Sequence, residues 1–402
     1  SSPPYFVTAF QHSVDSVHVF NYYPEPIEIT GLILASEEEQ TLPDPIELDG
    51  FANNHADAAL FSTSQEHVSA LLFRVKGTDD RQVGELLPWP SPNTYAVKRP
   101  AVHIPASHFE VKDEQVVLLP GDHIIDTSVV IPPGYTLLID AGQNIDMVNG
   151  AFILSYSQVE LSGTEEVPIQ FKSSDGTGLG LTVLQADGPS LIEHVIYSDM
   201  DAYRFGPWNL SGSLNLYESD VTINNLHIQN NRCEDALNII RSHFEMSDCS
   251  FQEIYADAFD SDFSTGSLRT TIFHDIGNDA IDFSGSQVDI RSCEMSQVGD
   301  KGVSGGEDSQ LTVRDCVIQD ANIGIASKDN SVLMTSDCTL ESCNYGMVVF
   351  QKKPEYGPAH IDAQGLSWKR IDTPFLIEEG SSVKLEKKLV LGKEKKVAER
   401  FY

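Results

Sequence analysis

Asp257, Asp260, Asp262, Asp279 and Asp282 crowd into one short stretch of this chain. Carboxylates at that density have three uses. They can hold a hard cation such as Ca²⁺, which takes 6 to 8 oxygen ligands. They can form an acid/base pair, one carboxyl kept protonated by its neighbours' charge while another stays ionised. They can also hydrogen-bond their own backbone at turns, which would account for Asp257 and Asp279 but not for Asp260, Asp262 and Asp282. Cations follow closely, at Lys301 and Lys328. A lysine here is either an ion-pair partner of Asp279 or Asp282, or a Brønsted base if its pKa is lowered. Upstream stand Asn238, Arg241 and His243, and Arg241 could grip a uronate carboxylate with both arms of its guanidinium.

A 22-residue period positions these side chains. Asp235, Asp257, Asp279, Lys301, Ile323 and Tyr345 open successive segments of similar pattern, among them ADAFDSDF, NDAIDFSG and NIGIASKD. Ile281 and Phe283 alternate with Asp282 and Ser284, the period-2 pattern of a strand. A fixed period built from short alternations is the mark of a stacked solenoid, and its coils should lie about 4.8 Å apart in a parallel β-helix. With Phe259 and Phe263 facing inward, Asp260 and Asp262 face outward about 6.6 Å apart along the strand. Asp282 then lies one coil from Asp260. Lys301 falls in the column of Asp257 and Asp279, and Lys328 in the column of Asp262. Cys249, Thr271, Cys293, Cys316 and Cys338 form another column, which fits small, soft side chains stacked inside better than a metal site of convergent Cys and His.

The rest of the chain divides around this solenoid. Residues 1–95 carry strand-like runs without the 22-residue register and read as a small β-sandwich-like domain. Residues 96–114 form a linker and N-terminal cap, within a proline-rich passage. The solenoid spans 115–380, and the lysine-rich segment 381–402 forms a C-terminal basic cap that closes its open end. A long insertion at 198–220 brings Tyr203 and Trp208 together with Arg204 and Phe205. Exposed aromatics on a loop can present flat faces to sugar rings, or they pack against the next coil.

Sixty acidic residues oppose 26 basic ones, a net charge of −34. Such a surface repels nucleic acid and anionic membranes and favours solubility or cation binding. No apolar run approaches the roughly 18 residues that a membrane helix needs, so direct membrane insertion is not expected. The chain opens on SSPPYF rather than on a methionine or leader, and the expectation is an exported protein: secreted, periplasmic or on the cell surface. Nothing in the pattern sets an oligomeric state.

The stretch 115–380 resembles the right-handed parallel β-helix proteins of the pectate-lyase-like superfamily, which include polysaccharide lyases, pectin-type glycoside hydrolases and uronan epimerases. The coils of the pectin-degrading hydrolases carry Asn-Thr-Asp-Gly, Gly-Asp-Asp and Gly-His-Gly turns. The similar places here read Ala256-Asp257-Ala258, Gly277-Asn278-Asp279 and Asp300-Lys301-Gly302. The resemblance carries Asp257 and Asp279 onto two of that family's three catalytic aspartates, while Asn278 and Lys301 replace the third and the histidine. Asp plus Lys looks more like the superfamily's calcium-dependent lyases. The expectation is therefore an all-β protein, a right-handed parallel β-helix with a small N-terminal β-domain, that acts on polysaccharide. Its expected reaction is calcium-assisted β-elimination on an acidic polysaccharide. Asp257, Asp260, Asp262, Asp279 and Asp282 would hold Ca²⁺, and Lys301 would abstract the proton with Asp257, Asp279 and Asp282 around it. Arg241, Tyr203, Trp208 and Lys328 would bind substrate. The alternatives are a non-catalytic polysaccharide-binding or scaffold solenoid, and an inverting glycoside hydrolase with carboxyls roughly 6.5–9.5 Å apart.

Overall fold

The computed structural model describes residues 7–13, 16–51, 56–62, 68–88, 100–206 and 208–402. The chain forms two compact units, Ser1–Lys98 and Arg99–Tyr402.

The first unit is a seven-stranded sheet in the order Glu39–Leu48, Ile27–Leu34, Val68–Val75, Arg81–Pro88, Val7–Ser13, Ser16–Asn21, Asp57–Ser62. Its neighbours run antiparallel except Val7–Ser13 beside Arg81–Pro88. Alternation along Ser16–Asn21 and Ile27–Leu34 turns Val17, Val19, Ile27 and Ile29 inward, onto Leu71 and Phe73.

The second unit is a parallel β-helix whose coils contribute strands to three sheets. The sheet that matters for function contains Leu181–Leu184, Gly212–Tyr217, Asp235–Ile240, Asp257–Asp262 and Ile281–Ser284, continued by the ends of Glu294–Gly306 and Val317–Lys328 and by Tyr345–Phe350. Pairing is parallel and in register, Leu237 on Phe259 on Ile281 on Val303 on Ile325. These residues point inward and are fully buried. Phe259 and Phe283 meet edge to face at 5.0 Å, a favoured aromatic geometry. The cysteine column is also inside, as free, buried thiols.

The corners explain the period. In each regular coil three residues adopt the left-handed conformation: Arg241, Asp248 and Glu253, then Phe263, Thr270 and Asp275, then Gly285, Ser292 and Gln297. Each such residue reverses the side-chain alternation, so a strand that faces inward before a corner cannot be extended through it. The next coil has two left-handed residues at this corner, Glu307 and Asp308. That extra residue is why the spacing lengthens to 23 between Cys293 and Cys316.

The corner conformation corrects one expectation. Phe263 does not face inward; its φ of 51° turns the ring out, where it is 54% exposed. Ser261 takes the inward place beside Phe259.

Both ends are covered by hairpins. Phe109–Lys112 and Gln115–Leu118 pair antiparallel at the start, and Ser382–Leu385 pairs with Lys388–Leu391 at the finish. Hairpins of this kind blunt the open edge of a solenoid. Among the described residues no helix is long and apolar enough to cross a membrane.

Candidate active-site cleft

Outward-facing positions of the sheet just described stack into columns. The middle column reads Thr182, Asn215, Asn238, Asp260, Asp282, Ser304, Ala326, Val348. The column two residues further along each strand reads Leu184, Tyr217, Ile240, Asp262, Ser284, Gly306, Lys328, Phe350. The column on the other side reads Asp235, Asp257, Asp279, Lys301, Ile323, Tyr345. Acidic residues thus occur in all three columns, followed directly by Lys301 in the third and further downstream by Lys328 in the second.

The first acidic column is built into the backbone. Asp257 Oδ1 accepts the Asp279 amide at 2.8 Å and the Asn278 side-chain amide at 2.7 Å. Asp279 Oδ1 in turn accepts the Lys301 amide at 3.0 Å. The Lys301 ammonium lies 3.2 Å from both oxygens of Asp279 and also pairs with Asp300. Lys301 and Asp279 are almost wholly buried. Asp235, at the head of the column, accepts from Asn238 Nδ2 at 2.7 Å, while its Oδ1 is buried without a partner.

Lys328 crosses two coils to reach Asp282, Nζ to Oδ1 3.3 Å. Gly306 makes the crossing possible. A Cβ there would stand 3.3 Å from Lys328 Cε, so any side chain at this position would crowd the lysine stem.

These surroundings separate the carboxyls into two kinds. Burial, and then Asp235 and Asp282, push Asp260 well above the ordinary carboxylate range. Burial also raises Asp235, to about 7, and Asp257 and Asp262. Asp279 is pushed up to about 8 by burial and Asp282, with Lys301 pulling against them. Asp282 alone among these six goes down: burial opposes its charge, but Lys328, Ser304 and Lys301 together outweigh burial. Asp260, with its pKa raised, therefore sits one coil, about 4.8 Å, from Asp282, with its pKa lowered. Both are partly open to solvent.

For Lys301, expected from the sequence to abstract the proton, burial and its partners pull in opposite directions. Burial disfavours its ammonium, yet Asp279 and further partners hold its pKa above the ordinary lysine value. Lys328 is raised in the same way, with Asp282 the chief counterweight to burial. Both act as fixed internal cations, so Lys328 does not serve as an open substrate contact.

The five aspartates do not fit a calcium cradle. The carboxylates of Asp257, Asp279 and Asp282 are already engaged by amides and ammonium groups. Among the described residues no group of three or more His, Cys, Asp or Glu side chains is placed to share an ion.

The two ends of the cleft are walled by aromatic residues. Downstream, Val397 and Phe401 pack on Val348, Phe350 and Tyr345, and the Tyr402 ring lies 3.6 Å from Lys352 Nζ and 5.6 Å from Lys301 Nζ. Upstream, the insertion lies across the sheet. Tyr203 is buried edge to face on Phe152 at 4.9 Å, so it supports the loop and does not offer a free face to a ligand. Trp208 is 39% exposed and borders a cavity with Tyr217. Arg241 stands on the rim, donating to the Tyr217 hydroxyl at 2.8 Å and lying over the Phe263 ring. His243 belongs to another sheet, where it meets Thr265.

Asp235, Tyr217 and Gly306 complete the cleft and are not among the site residues expected from the sequence. Asp235 heads the 22-residue column of Asp257, and that shared column is the signal that places it in the site.

Residues 212–356 match the family described as right handed beta helix region, in keeping with the right-handed parallel β-helix fold of the second unit. No curated protein sequence matches it. Among solved structures, an alginate lyase from Paenibacillus sp. str. FPU-7 is similar at 11% identity and a TM-score of 0.33, over 58% of this chain and 91% of its own. A periplasmic alginate epimerase gives 10% and 0.38, over 71% and 80%. A GH87 α-1,3-glucanase catalytic domain gives 9% and 0.29, over 97% and 91%.

Proposed function

We propose that this protein is a carbohydrate-active enzyme that hydrolyses glycosidic bonds in the cleft over Asp260 and Asp282. The observation that carries this reading is the pair itself, Asp260 and Asp282 stacked on adjacent coils with Lys328 beside Asp282, surroundings that raise the pKa of the first carboxyl and lower that of the second. Glycoside hydrolysis needs that division: an acid to protonate the leaving oxygen, and a carboxylate to answer the positive charge that develops on the sugar. Asp260 is the acid and Asp282 the carboxylate. Lys328 favours the charged form of Asp282, while burial, and then Asp235, Asp282, Asp262 and Asp257, favour the neutral form of Asp260.

Lysis by β-elimination needs a base for a carbon-bound proton, and the lysine expected for that role is locked as an ammonium. Hydrolysis is therefore preferred to the calcium-assisted elimination expected from the sequence, and a non-catalytic scaffold gives no reason for the split pair. Action on a polysaccharide would place the protein in the periplasm, at the cell surface or outside the cell. The test is a product assay on a range of polysaccharides, with and without a calcium chelator. New reducing ends, no unsaturated products and no chelator effect are expected, and unsaturated sugars that vanish with chelator would overturn the reading in favour of lysis.

A further inference from the structure

Resting on that reading, we propose that the cavity beneath Trp208 is a remote subsite for an uncharged sugar ring, and that the substrate is accordingly a neutral glycan and not a polyuronate. The cavity has a volume of about 360 Å³, toward the small end of ligand pockets. Trp208, Tyr203, Leu210, Tyr217, Thr182 and Gln185 supply most of its lining, and no charged side chain contributes.

The hydrogen-bonding groups at its wall are free in the sense a sugar needs. Tyr217 accepts from Arg241 at 2.8 Å and keeps its hydroxyl proton to donate. Gln185 gives Nε2 to Glu218 at 2.8 Å, leaving Oε1 as an acceptor. Thr182, which accepts from Asn215 Nδ2 at 3.1 Å, is almost wholly buried and forms the floor. One hydroxyl donor and one amide acceptor beside an exposed indole suit the hydroxyls and apolar face of a pyranose.

Charge argues in the same direction. A uronate in this cavity would meet no cation within the lining. Arg241, at its edge, is already occupied by Tyr217 and stands 3.7 Å from Glu218. The floor further on is dominated by aspartates, whose charge a polyuronate would have to face.

Register joins the cavity to the reacting pair. Tyr217, Ile240, Asp262 and Ser284 follow one another in a single outward column, all partly exposed. Tyr217 and Asp262 are two coils apart, about 10 Å, a span that a short stretch of glycan bridges. Trp208 would hold one ring while the bond to be broken lies over Asp260 and Asp282.

The experiment is calorimetric titration of the Asp282→Asn variant with neutral gluco-, manno- and galacto-oligosaccharides, and with oligouronates of matched length. A neutral series should bind and the oligouronates should not. Trp208→Ala in the same background should weaken that binding roughly tenfold or more, the scale of losing an aromatic anchor, and Trp208→Phe should restore part of it. Tighter binding of oligouronates, binding of neither class, or unchanged affinity in Trp208→Ala would overturn the subsite. Failure of the hydrolysis reading shows separately: Asp282→Asn would then keep full hydrolytic activity whatever the titrations give.

Discussion

At one corner of the solenoid Ser219, Ser242, Ser264, Ser286, Ser309 and Ser331 repeat one residue coil after coil, whereas the outward column on the strand just before that corner runs Asn215, Asn238, Asp260, Asp282, Ser304, Ala326. The serines do one job. From Ser242 onward each hydroxyl accepts the backbone amide of the serine one coil before, as Ser286 does from Ser264 at 3.0 Å and Ser309 from Ser286 at 3.1 Å, and Ser219 accepts the Ala186 amide in the same way. Buried backbone amides at a corner need such partners, and every coil has the same need. The outward column has no shared structural duty, since the strand's own hydrogen bonds already satisfy the backbone. Its change from amide to acid to small and apolar side chains is where chemistry can be placed without cost to the stack.

Breaking each column should produce opposite results. In the cleft, Asp282→Asn and Asp260→Asn should each lower the turnover of polysaccharide by about 10²–10⁴-fold, the range for losing a general acid or base; thermal unfolding should be nearly unchanged in Asp260→Asn, while Asp282→Asn also loses stability because it leaves the buried Lys328 ammonium without its carboxylate. Lys301→Met should act on stability, because it strands the buried Asp279 carboxylate. A loss of about 3–5 kcal/mol is expected for breaking one side of a buried pair, measured by denaturant unfolding. At the corner, Ser286→Ala orphans the Ser264 amide and should cost about 1–3 kcal/mol, while polysaccharide turnover per folded molecule stays at the wild-type level.

The smallest effect concerns pH. Asp235 is raised to about 7 in the folded chain, from an ordinary value of 3.8. The folded state therefore binds the extra proton, so this group adds stability below its unfolded pKa and loses it as pH rises through about 7. Asp235→Asn should flatten the decline in melting temperature between weakly acidic and neutral pH. A slope identical to wild type would mean that Asp235 is ionised in the fold.

Much of the architecture was legible because periodicity is additive. Six segments at a fixed spacing outvote any one irregular residue, so the columns of Asp257, Asp279 and Lys301, and of Asp262 and Lys328, emerge where the sequence pattern puts them. Two things were not legible. Phe263 is as hydrophobic as Phe259, and only its left-handed corner turns it outward. The protonation of Lys301 depends on both oxygens of Asp279 lying at 3.2 Å, a distance that a sequence column implies only to within a coil spacing. Which lysine could act as a base was thus beyond the pattern, although the lysines' neighbours were not. Tyr203 and Trp208 share a loop in the sequence, yet one ring is buried on Phe152 and the other faces the cavity. Composition gives no means of telling them apart.

The central claim is that the split pair Asp260 and Asp282 hydrolyses a glycan. Purified protein and its Asp282→Asn variant, incubated side by side with a range of polysaccharides, test it most directly when reducing ends and unsaturated products are both followed. Reducing ends from at least one neutral polysaccharide, no unsaturated product, and loss of the activity in the variant are expected. Unsaturated product, or undiminished release of reducing ends by Asp282→Asn, would contradict it.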